Sequence, residues 1–317
     1  MRHARNYRAL GCDVSGFDPT PERLAAFEAN IAGETFGDLD AALATAPRLV
    51  AITSPNIYHM PQAVAAVRNG CRALFIEKPL GTDLAEARNF AALANEASCY
   101  VHVGSNWKFH PAFQHMKSWI NDGRLGTVTG AQVLAGQWLP DWHPWEDYRQ
   151  MYAARKSLGG GAIFDTHELD YLRWLLGPIQ SFNGFKAHSG ALETETEDVA
   201  ACVMRFKSGV LGVLLTDYIQ RVGRRRYHVS GSEGTMEWDL STNRLVFSRS
   251  GMPEAEVVDT KVDDLNEMYL EQSRRILQDL HDGRAPVTGL ADMLEILEMQ
   301  SAWHSGERLE REGGANT

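Results

Sequence analysis

The chain has 317 residues, of which 44% are hydrophobic, and a formal net charge of −10. This length predicts one large or two medium domains with a sizeable buried core. The acidic balance argues against nonspecific binding to nucleic acid or anionic membranes. No apolar run approaches the roughly 20 residues that span a bilayer, and no apolar signal-peptide core follows Met1. The four cysteines show neither C-x-x-C nor zinc spacing, so we expect a cytoplasmic protein with free thiols and no metal site.

The first hundred residues alternate strands and helices, which predicts a parallel sheet with helices on both faces. The predicted strands are 13–17, 49–53, 73–76 and 100–104, and the predicted helices are 21–30, 39–46, 58–69 and 84–97. From residue 106 onward strands dominate, at 127–138, 179–188, 198–207, 210–218, 226–231, 235–240 and 244–247. Helices are predicted there at 113–122, 166–176, 265–282 and 290–306, before a polar, frayed tail. The fold class is therefore α/β, with a parallel sheet followed by a large, mostly antiparallel open sheet.

A lysine stands at the carboxyl end of a buried strand. The apolar run from Ala73 to Ile76 is followed directly by Glu77, Lys78 and Pro79. Ligands bind beyond the carboxyl ends of parallel strands, and a lysine held there can hydrogen-bond a substrate oxygen or move a proton. We favour this interpretation over that of a surface lysine close to the next helix.

A second polar group follows the glycine run Gly159–Gly161. Asp165, His167 and Asp170 lie near the start of one predicted helix, and His167 and Asp170 share a helix face. A carboxylate that orients a histidine fixes its tautomer and raises its basicity. Lysine, histidine and carboxylate together suggest acid–base chemistry on an alcohol or a carbonyl.

These segments resemble the Gfo/Idh/MocA family of nicotinamide-dependent sugar and polyol oxidoreductases. The resemblance also covers residues 2–6, 53–56, 104–106 and 139–145 in the family's order, so it spans nearly the whole chain. It implies NAD or NADP as cofactor and a Rossmann-type nucleotide-binding domain of residues 1–105. It further implies a substrate and oligomerisation domain of residues 106–317, whose last helices pack back toward the first domain.

The resemblance also implies catalytic roles. Lys78 and His167 would converge from separate domains on one reacting C–OH group, with Asp170 orienting His167. Asp165 is a more ambiguous catalytic candidate, because the family's aspartate precedes the histidine by four residues and here the spacing is two. Asp165 fits equally well as an N-cap residue, with Glu168 completing a capping box. The plain alternative for His167 is a histidine satisfied in the domain core.

Asp18 ends the second strand of the presumed sheet, where a carboxylate binds the ribose hydroxyls and repels a 2′-phosphate. It favours NAD, although Arg23, five residues on, leaves NADP open. The plain alternative for Asp18 is a turn aspartate. By resemblance, the other cofactor-binding candidates are Ser54, Pro55, Asn56, His59, Glu77, Lys78 and Asn106. The Ser-Pro-Asn segment is equally well explained as a helix-initiating turn.

The sequence contains no strand followed by G-x-G-x-x-G, the usual phosphate-binding start of a dinucleotide fold. Residues 2–6 correspond to the helix after that motif, so we expect the central first strand of the sheet to be missing. We favour a true start upstream of Met1 over a loss of nucleotide binding, because the remaining site residues persist. As given, the chain should bind cofactor poorly, and micromolar NAD(H) affinity in isothermal titration calorimetry would contradict this.

The segment 138–155 is dense in aromatic residues with nearby donors, which suits the faces and hydroxyls of a sugar ring. The substrate-binding candidates are Trp142, Trp145, Arg149, Arg155 and His167. The alternative is a packed loop with hydrophobic anchors. The segment also resembles family members found with bacterial surface-sugar biosynthesis. The arginines at 221 and 224–226 fit a solvated strand end, or contacts to a nucleotide-sugar phosphate.

We therefore predict reversible hydride transfer at a secondary alcohol of a sugar, polyol or sugar derivative, by a homodimer or homotetramer. One alternative is transient oxidation that leads to elimination or glycoside cleavage, in which case net NADH does not accumulate. Another is a sugar or nucleotide sensor without turnover, which would keep ligand binding after Lys78→Ala. Neither nucleic acid nor a membrane is expected as a partner.

Overall fold

The computed structural model describes residues 1–311, which divide into two compact units. The first unit comprises residues 1–109 and 263–294, and the second comprises residues 110–262 and the described residues from 295 onward. The α-helices are α1 Arg2–Ala9, α2 Pro21–Ile31, α3 Leu39–Ala44, α4 His59–Arg68, α5 Leu84–Glu96, α6 Pro111–Asn121, α7 Ala162–Asp165, α8 Glu168–Leu176, α9 Asn266–Asp282 and α10 Leu290–Ser305. The strands are β1 Gly16–Phe17, β2 Thr35–Phe36, β3 Val50–Ile52, β4 Ala73–Ile76, β5 Tyr100–Val103, β6 Val128–Gly136, β7 Ile179–Ala187, β8 Val199–Phe206, β9 Leu211–Asp217, β10 Arg224–Gly231, β11 Thr235–Asp239, β12 Arg244–Ser248, β13 Glu256–Asp259 and β14 Leu309–Glu310.

The first unit carries two short parallel sheets, which confirms the predicted strand–helix alternation. Strands β3, β4 and β5 form one sheet with β4 in the middle, and all four residues of β4 are buried. Strands β1 and β2 form the other. Among the described residues, β1 pairs only with β2, and β3 pairs only with β4. The sequence prediction missed β2, which is only two residues long.

Helix α9 belongs to the first unit, although it lies far along the chain. Gln272 on this helix accepts a hydrogen bond from the Ser105 backbone N–H (2.8 Å). The carbonyl oxygen of Thr288 accepts one from the Val103 N–H (3.0 Å). These bonds satisfy the backbone just where β5 ends, and so fix the loop that carries Asn106.

The second unit is built on a nine-stranded sheet in the order β13-β12-β11-β10-β6-β9-β8-β7-β14. Among the described strands of this nine-stranded sheet, only the central pair β6 and β9 is parallel, and each other neighbouring pair is antiparallel. The predicted turns at 207–209 and 231–234 both form, closed by the bonds Gly209 N–H to Phe206 O (2.9 Å) and Gly231 N–H to Gly234 O (2.8 Å). The predicted large, mostly antiparallel sheet is therefore confirmed.

One face of this sheet is packed and the other is not. Aromatic rings fill the packed side, where Phe113 on α6 lies edge-on to Tyr171, Tyr227 and Trp238 at centroid distances of 5.0–5.5 Å. On the opposite face, apolar side chains of β7, β8 and β9 are exposed: Phe185, Val203, Leu211, Val213 and Leu215. Such alternation along each strand is what a two-faced sheet requires.

Besides the missed strand β2, the structure departs from the prediction at one helix start and at two further strands. The predicted helix 166–176 begins at Glu168, because Thr166 has an extended backbone (φ −64°, ψ 134°) that separates α8 from the short helix α7. Strands β13 and β14 were not predicted. In the segment 307–317, expected to be a frayed tail, Leu309 pairs with Phe182 of β7, and residues 312–317 lie outside the described residues.

Candidate functional site

The carboxyl edge of the β3-β4-β5 sheet gathers most of the predicted cofactor residues. Ser54 follows β3, Glu77 and Lys78 follow β4, and Asn106 follows β5. Since the strands are parallel and in register, these loops leave the sheet on the same side. Lys78 is half-buried there, and Asn106 is 7% exposed.

Glu77 is held from two directions by partners in its own unit. Its Oε1 lies 2.6 Å from His3 Nε2, and its Oε2 accepts the Lys78 backbone N–H at 3.1 Å. Burial alone would raise the pKa of Glu77, but the bonds from His3 and the Lys78 N–H outweigh it and lower that pKa below its ordinary value. A Cβ on residue 104 would lie 2.6 Å from Oε2, so glycine at this position permits the arrangement.

His3 was not singled out from the sequence as a functional residue. Its ring packs on Phe75 (centroids 4.9 Å) and edge-on to Tyr269 (5.7 Å). The ring therefore braces Glu77 against the strand that carries Lys78. No local sequence pattern predicts the contact between His3 and Glu77, which are 74 positions apart.

His59 joins the loops that follow β3 and β4. Its Nδ1 lies 2.8 Å from the Pro79 carbonyl oxygen and its Nε2 lies 2.9 Å from the Ser54 carbonyl oxygen. The ring is fully buried, and burial lowers its pKa despite these two bonds. Both ring nitrogens contact the main chain, so His59 links the loops that follow β3 and β4 at the carboxyl edge of the sheet. That the loop after β3 contacts a cofactor stays a prediction.

Asp18 follows β1 and forms a turn of its own. Its Oδ1 accepts the Thr20 N–H (2.9 Å), and its Oδ2 lies 3.6 Å from Arg23. The Asp18 carboxylate is half-buried, and its contact with the largely exposed Arg23 side chain is long. Asp18 can therefore form this turn and still have an oxygen available to bind a ribose hydroxyl.

In the second unit, His167 immediately precedes α8. Its Nδ1 lies 3.2 Å from the Tyr171 hydroxyl, and the two rings stack with an interplanar angle of 9°. Tyr171 is four residues on, a spacing that places side chains on one helix face. The sequence analysis missed this partner, and the pairing of His167 with the buried Asp170 stays a prediction.

Asp165 is not the N-cap of α8, which corrects the capping-box interpretation. It is the last residue of α7, and its Oδ1 accepts the Tyr152 hydroxyl at 2.6 Å. Glu168 instead bonds locally, accepting from the Thr166 hydroxyl (2.9 Å) and the His167 N–H (3.1 Å). The cause is the extended Thr166, which moves the helix start past Asp165.

The arginine cluster is divided rather than uniformly solvated. Arg225 is largely buried, with its side chain 16% exposed, and forms an ion pair with Glu168 (2.7 Å). Arg226, next to it, is largely exposed and pairs with Asp239 at the same distance. Arg221 lies over the Trp138 ring at 3.4 Å. Alternation along β10 explains the difference, because successive side chains point to opposite faces.

The aromatic segment is partly a packed anchor and partly exposed. Trp142 lies edge-on to Tyr218 (5.3 Å) beside a buried cluster, whereas Trp145 is 79% exposed and stacks on His143. The predicted substrate arginines also have protein partners. Arg149 bonds Asp147 (3.1 Å) and Glu193 (3.2 Å), and Arg155 bonds the Arg149 carbonyl oxygen (3.2 Å).

The described chain carries neither a metal-ligand cluster nor a membrane-spanning helix. In residues 1–311 no three His, Cys, Asp or Glu side chains group in a way that could hold a metal ion. None of the helices the structure describes is both long and apolar enough to cross a bilayer.

Two models of one family match the chain. Residues 4–105 match an oxidoreductase family with an NAD-binding Rossmann fold, and residues 113–237 match the GFO/IDH/MocA C-terminal domain. Together they cover more than two thirds of the chain. The chain belongs to the GFO/IDH/MocA oxidoreductase family.

Curated relatives include a 1,5-anhydro-D-fructose reductase of Ensifer adhaerens, 31% identical over 59% of this chain and 55% of that protein. A D-apiose dehydrogenase of Paraburkholderia graminis is 25% identical over 96% of this chain and 85% of its own length. An oxidoreductase of Streptococcus pneumoniae is matched over 52% of its length, so the chain spans about half of two of these relatives.

Solved structures share the fold. A levoglucosan dehydrogenase in complex with NADH and levoglucosan aligns with a TM-score of 0.87, covering 98% of this chain and 96% of that chain at 17% identity. GenD2 from gentamicin A biosynthesis, in complex with NAD, aligns with a TM-score of 0.81 at 22% identity. At such identities the likeness concerns the fold.

Proposed function

We propose that this chain acts in a nicotinamide-dependent oxidoreductase that interconverts a secondary alcohol and a ketone on a sugar, polyol or sugar derivative. The observation that carries the proposal is Lys78, a half-buried lysine at the carboxyl end of β4, in a unit that matches an NAD-binding oxidoreductase family. Relatives named as sugar reductases and dehydrogenases support the substrate class.

The residues of the first unit fit a nicotinamide cofactor at its ribose and reactive ends. Asp18 would bind the adenosine ribose, and Ser54, Pro55, Asn56, Glu77, Lys78 and Asn106 would line the reactive end. When bound, the cofactor supplies the hydride chemistry. The 317-residue sequence has no G-x-G-x-x-G segment for the pyrophosphate.

The chain's own residues would supply orientation and proton transfer. The Lys78 ammonium hydrogen-bonds the reacting oxygen and stabilises negative charge there as the hydroxyl is oxidised. The ring of His167 takes the hydroxyl proton at Nε2 and returns it in the reverse direction. For this, the neutral ring must carry its proton on Nδ1, where the Tyr171 hydroxyl oxygen can accept it.

A dehydrogenase screen tests this proposal. The protein, with any in-frame sequence upstream of Met1, is assayed against sugars, polyols and nucleotide sugars with NAD and NADP, following the absorbance of the reduced nicotinamide. We expect net reduced cofactor to accumulate with at least one of these classes. Formation of elimination or cleavage products without an accumulating ketone would refute the dehydrogenase assignment. Ligand binding without turnover would refute it too.

We also propose that the exposed sheet face forms the interface of a homo-oligomer. The apolar side chains there are adjacent across the strands, with Val203 opposite Val213 and Ala201 opposite both Phe185 and Leu215. Contiguous apolar area of this kind marks interaction surfaces. Val203→Asp should shift light-scattering mass toward the monomer, whereas Val222→Asp, at an exposed loop position, should not. An unchanged mass for Val203→Asp would contradict the assignment.

A further inference from the structure

A buried ion pair lies at the start of α8, directly behind His167 in the chain. Arg225 Nε and Glu168 Oε1 are 2.7 Å apart, with side chains 16% and 2% exposed. The two residues come from β10 and α8, so the pair ties the start of that helix to the central sheet. Burying two charges costs free energy unless their geometry and hydrogen bonds compensate for lost water.

The second oxygen of Glu168 holds the main chain of His167. Glu168 Oε2 accepts the His167 backbone N–H at 3.1 Å and the Thr166 hydroxyl at 2.9 Å. This N–H belongs to the start of the helix, where backbone donors have no intrahelical acceptor. The carboxylate therefore fixes the backbone position from which the His167 ring projects.

The ring itself is fixed from the same helix. Tyr171 is fully buried, and its hydroxyl contacts His167 Nδ1 at 3.2 Å. Tyr171 also packs edge-on against Phe113, which contacts Tyr227 on β10 in the same way. Backbone and ring are thus both anchored, by the carboxylate and by the tyrosine.

Two titratable groups near this pair have perturbed pKa values, and the buried Asp170 lies close enough to act on one of them, Tyr227. His110 is buried, and burial followed by the charge of Arg225 lowers its pKa to about 4. Burial and the negative charge of Glu168 raise the pKa of Tyr227 well above its ordinary value. Both groups are therefore neutral at neutral pH.

We infer that Arg225 is a positioning residue for His167, acting through Glu168. The inference rests on the proposed function, in which His167 exchanges a proton with the substrate hydroxyl. A base displaced by even 1 Å loses much of its effect, on the order of a hundredfold in rate. Arg225 thus has a role in turnover without touching the substrate.

The chain offers a matched control on the same helix. Arg173 Nε pairs with Glu295 Oε2 at 3.0 Å, and these side chains are 17% and 13% exposed. This pair resembles Arg225–Glu168 in distance and in the burial of its arginine. Replacing it perturbs a buried ion pair of α8 without touching the backbone of His167.

The test compares Arg225→Lys, Arg225→Met and Glu168→Gln with Arg173→Lys and Arg173→Met. The first readout is long-range ¹H–¹⁵N NMR of the His167 ring, assigned with His167→Gln, which reports tautomer and pKa. The second is kcat and KM with the substrate found by the dehydrogenase screen. Circular dichroism checks that each variant is folded.

We expect Arg225→Met and Glu168→Gln to change the His167 tautomer ratio and to lower kcat at least about tenfold with KM nearly unchanged. Arg225→Lys should recover part of both, and the Arg173 variants should change neither. If Arg225→Met does not fold, Arg225→Lys and Glu168→Gln decide the question.

Folded Arg225 and Glu168 variants with an unchanged ring spectrum would overturn the inference, as would equal effects from the Arg173 variants. The NMR readout does not depend on turnover. A protein that proves inactive on every substrate would therefore refute the proposed function while the positioning role is still decided by the ring spectrum.

Discussion

The contact between His3 and Glu77 makes a measurable contribution to the stability of the first unit. The two side chains are 13% and 26% exposed and 2.6 Å apart. A hydrogen bond to a charged group in such surroundings contributes about 1.5–3 kcal/mol. His3→Ala should therefore lower the free energy of unfolding by about that amount, whereas Arg5→Ala, at an exposed position of the same helix, should stay within about 0.5 kcal/mol.

The pH dependence of this contribution follows from the lowered pKa of Glu77. A carboxyl group whose pKa is lower in the folded state stabilises the fold above its ordinary value of 4.5. The contribution is lost as the pH falls through the folded-state pKa. We therefore expect the part of the difference between wild type and His3→Ala that depends on ionised Glu77 to shrink as the pH falls below the ordinary carboxyl value of 4.5.

Urea unfolding of wild type, His3→Ala, Glu77→Gln and the double variant, at several pH values, measures the coupling directly. We expect a coupling energy of about 1–3 kcal/mol at neutral pH. The double variant, without the ionisable Glu77, should lack the pH-dependent part. Additive single effects, within about 0.5 kcal/mol, would refute the reasoning.

Three further predictions concern the reaction, the cofactor and the glycine run. Lys78→Ala should lower kcat by at least about a hundredfold, whereas Lys207→Ala, in an exposed turn, should not; equal kinetics would exclude the proposed role. Asp18→Ala should weaken NAD binding more than NADP binding in calorimetric titration, and an unchanged ratio of affinities would contradict ribose recognition. Gly160→Ala should destabilise the fold by about 1–3 kcal/mol, because its Cβ would lie 2.1 Å from a carbonyl oxygen, while Gly37→Ala meets no atom within 4 Å; similar melting temperatures for the two variants would contradict the observed packing.

Several features of the candidate site were predictable from local sequence. The apolar run before Glu77 defined a buried strand, and the position of Lys78 at its carboxyl end followed from the rule for parallel sheets. The stacking of Tyr171 on His167 could also have been found, because residues four apart share a helix face. The helix start was misplaced, because extended backbone at Thr166 has no clear sequence signal.

The amino-acid sequence by itself determined the order of the longer strands and helices, the tight turns and the family, because periodicity, glycine placement and motif order are local properties. Tertiary structure alone decided that His3 contacts Glu77 and that Arg225 is largely buried against Glu168 while Arg226 is exposed. These pairings join residues far apart in the chain, and they depend on which face of a strand is covered. Side-chain charge and spacing are visible in the sequence, whereas the loss of water around a particular charge is fixed only when the chain has folded.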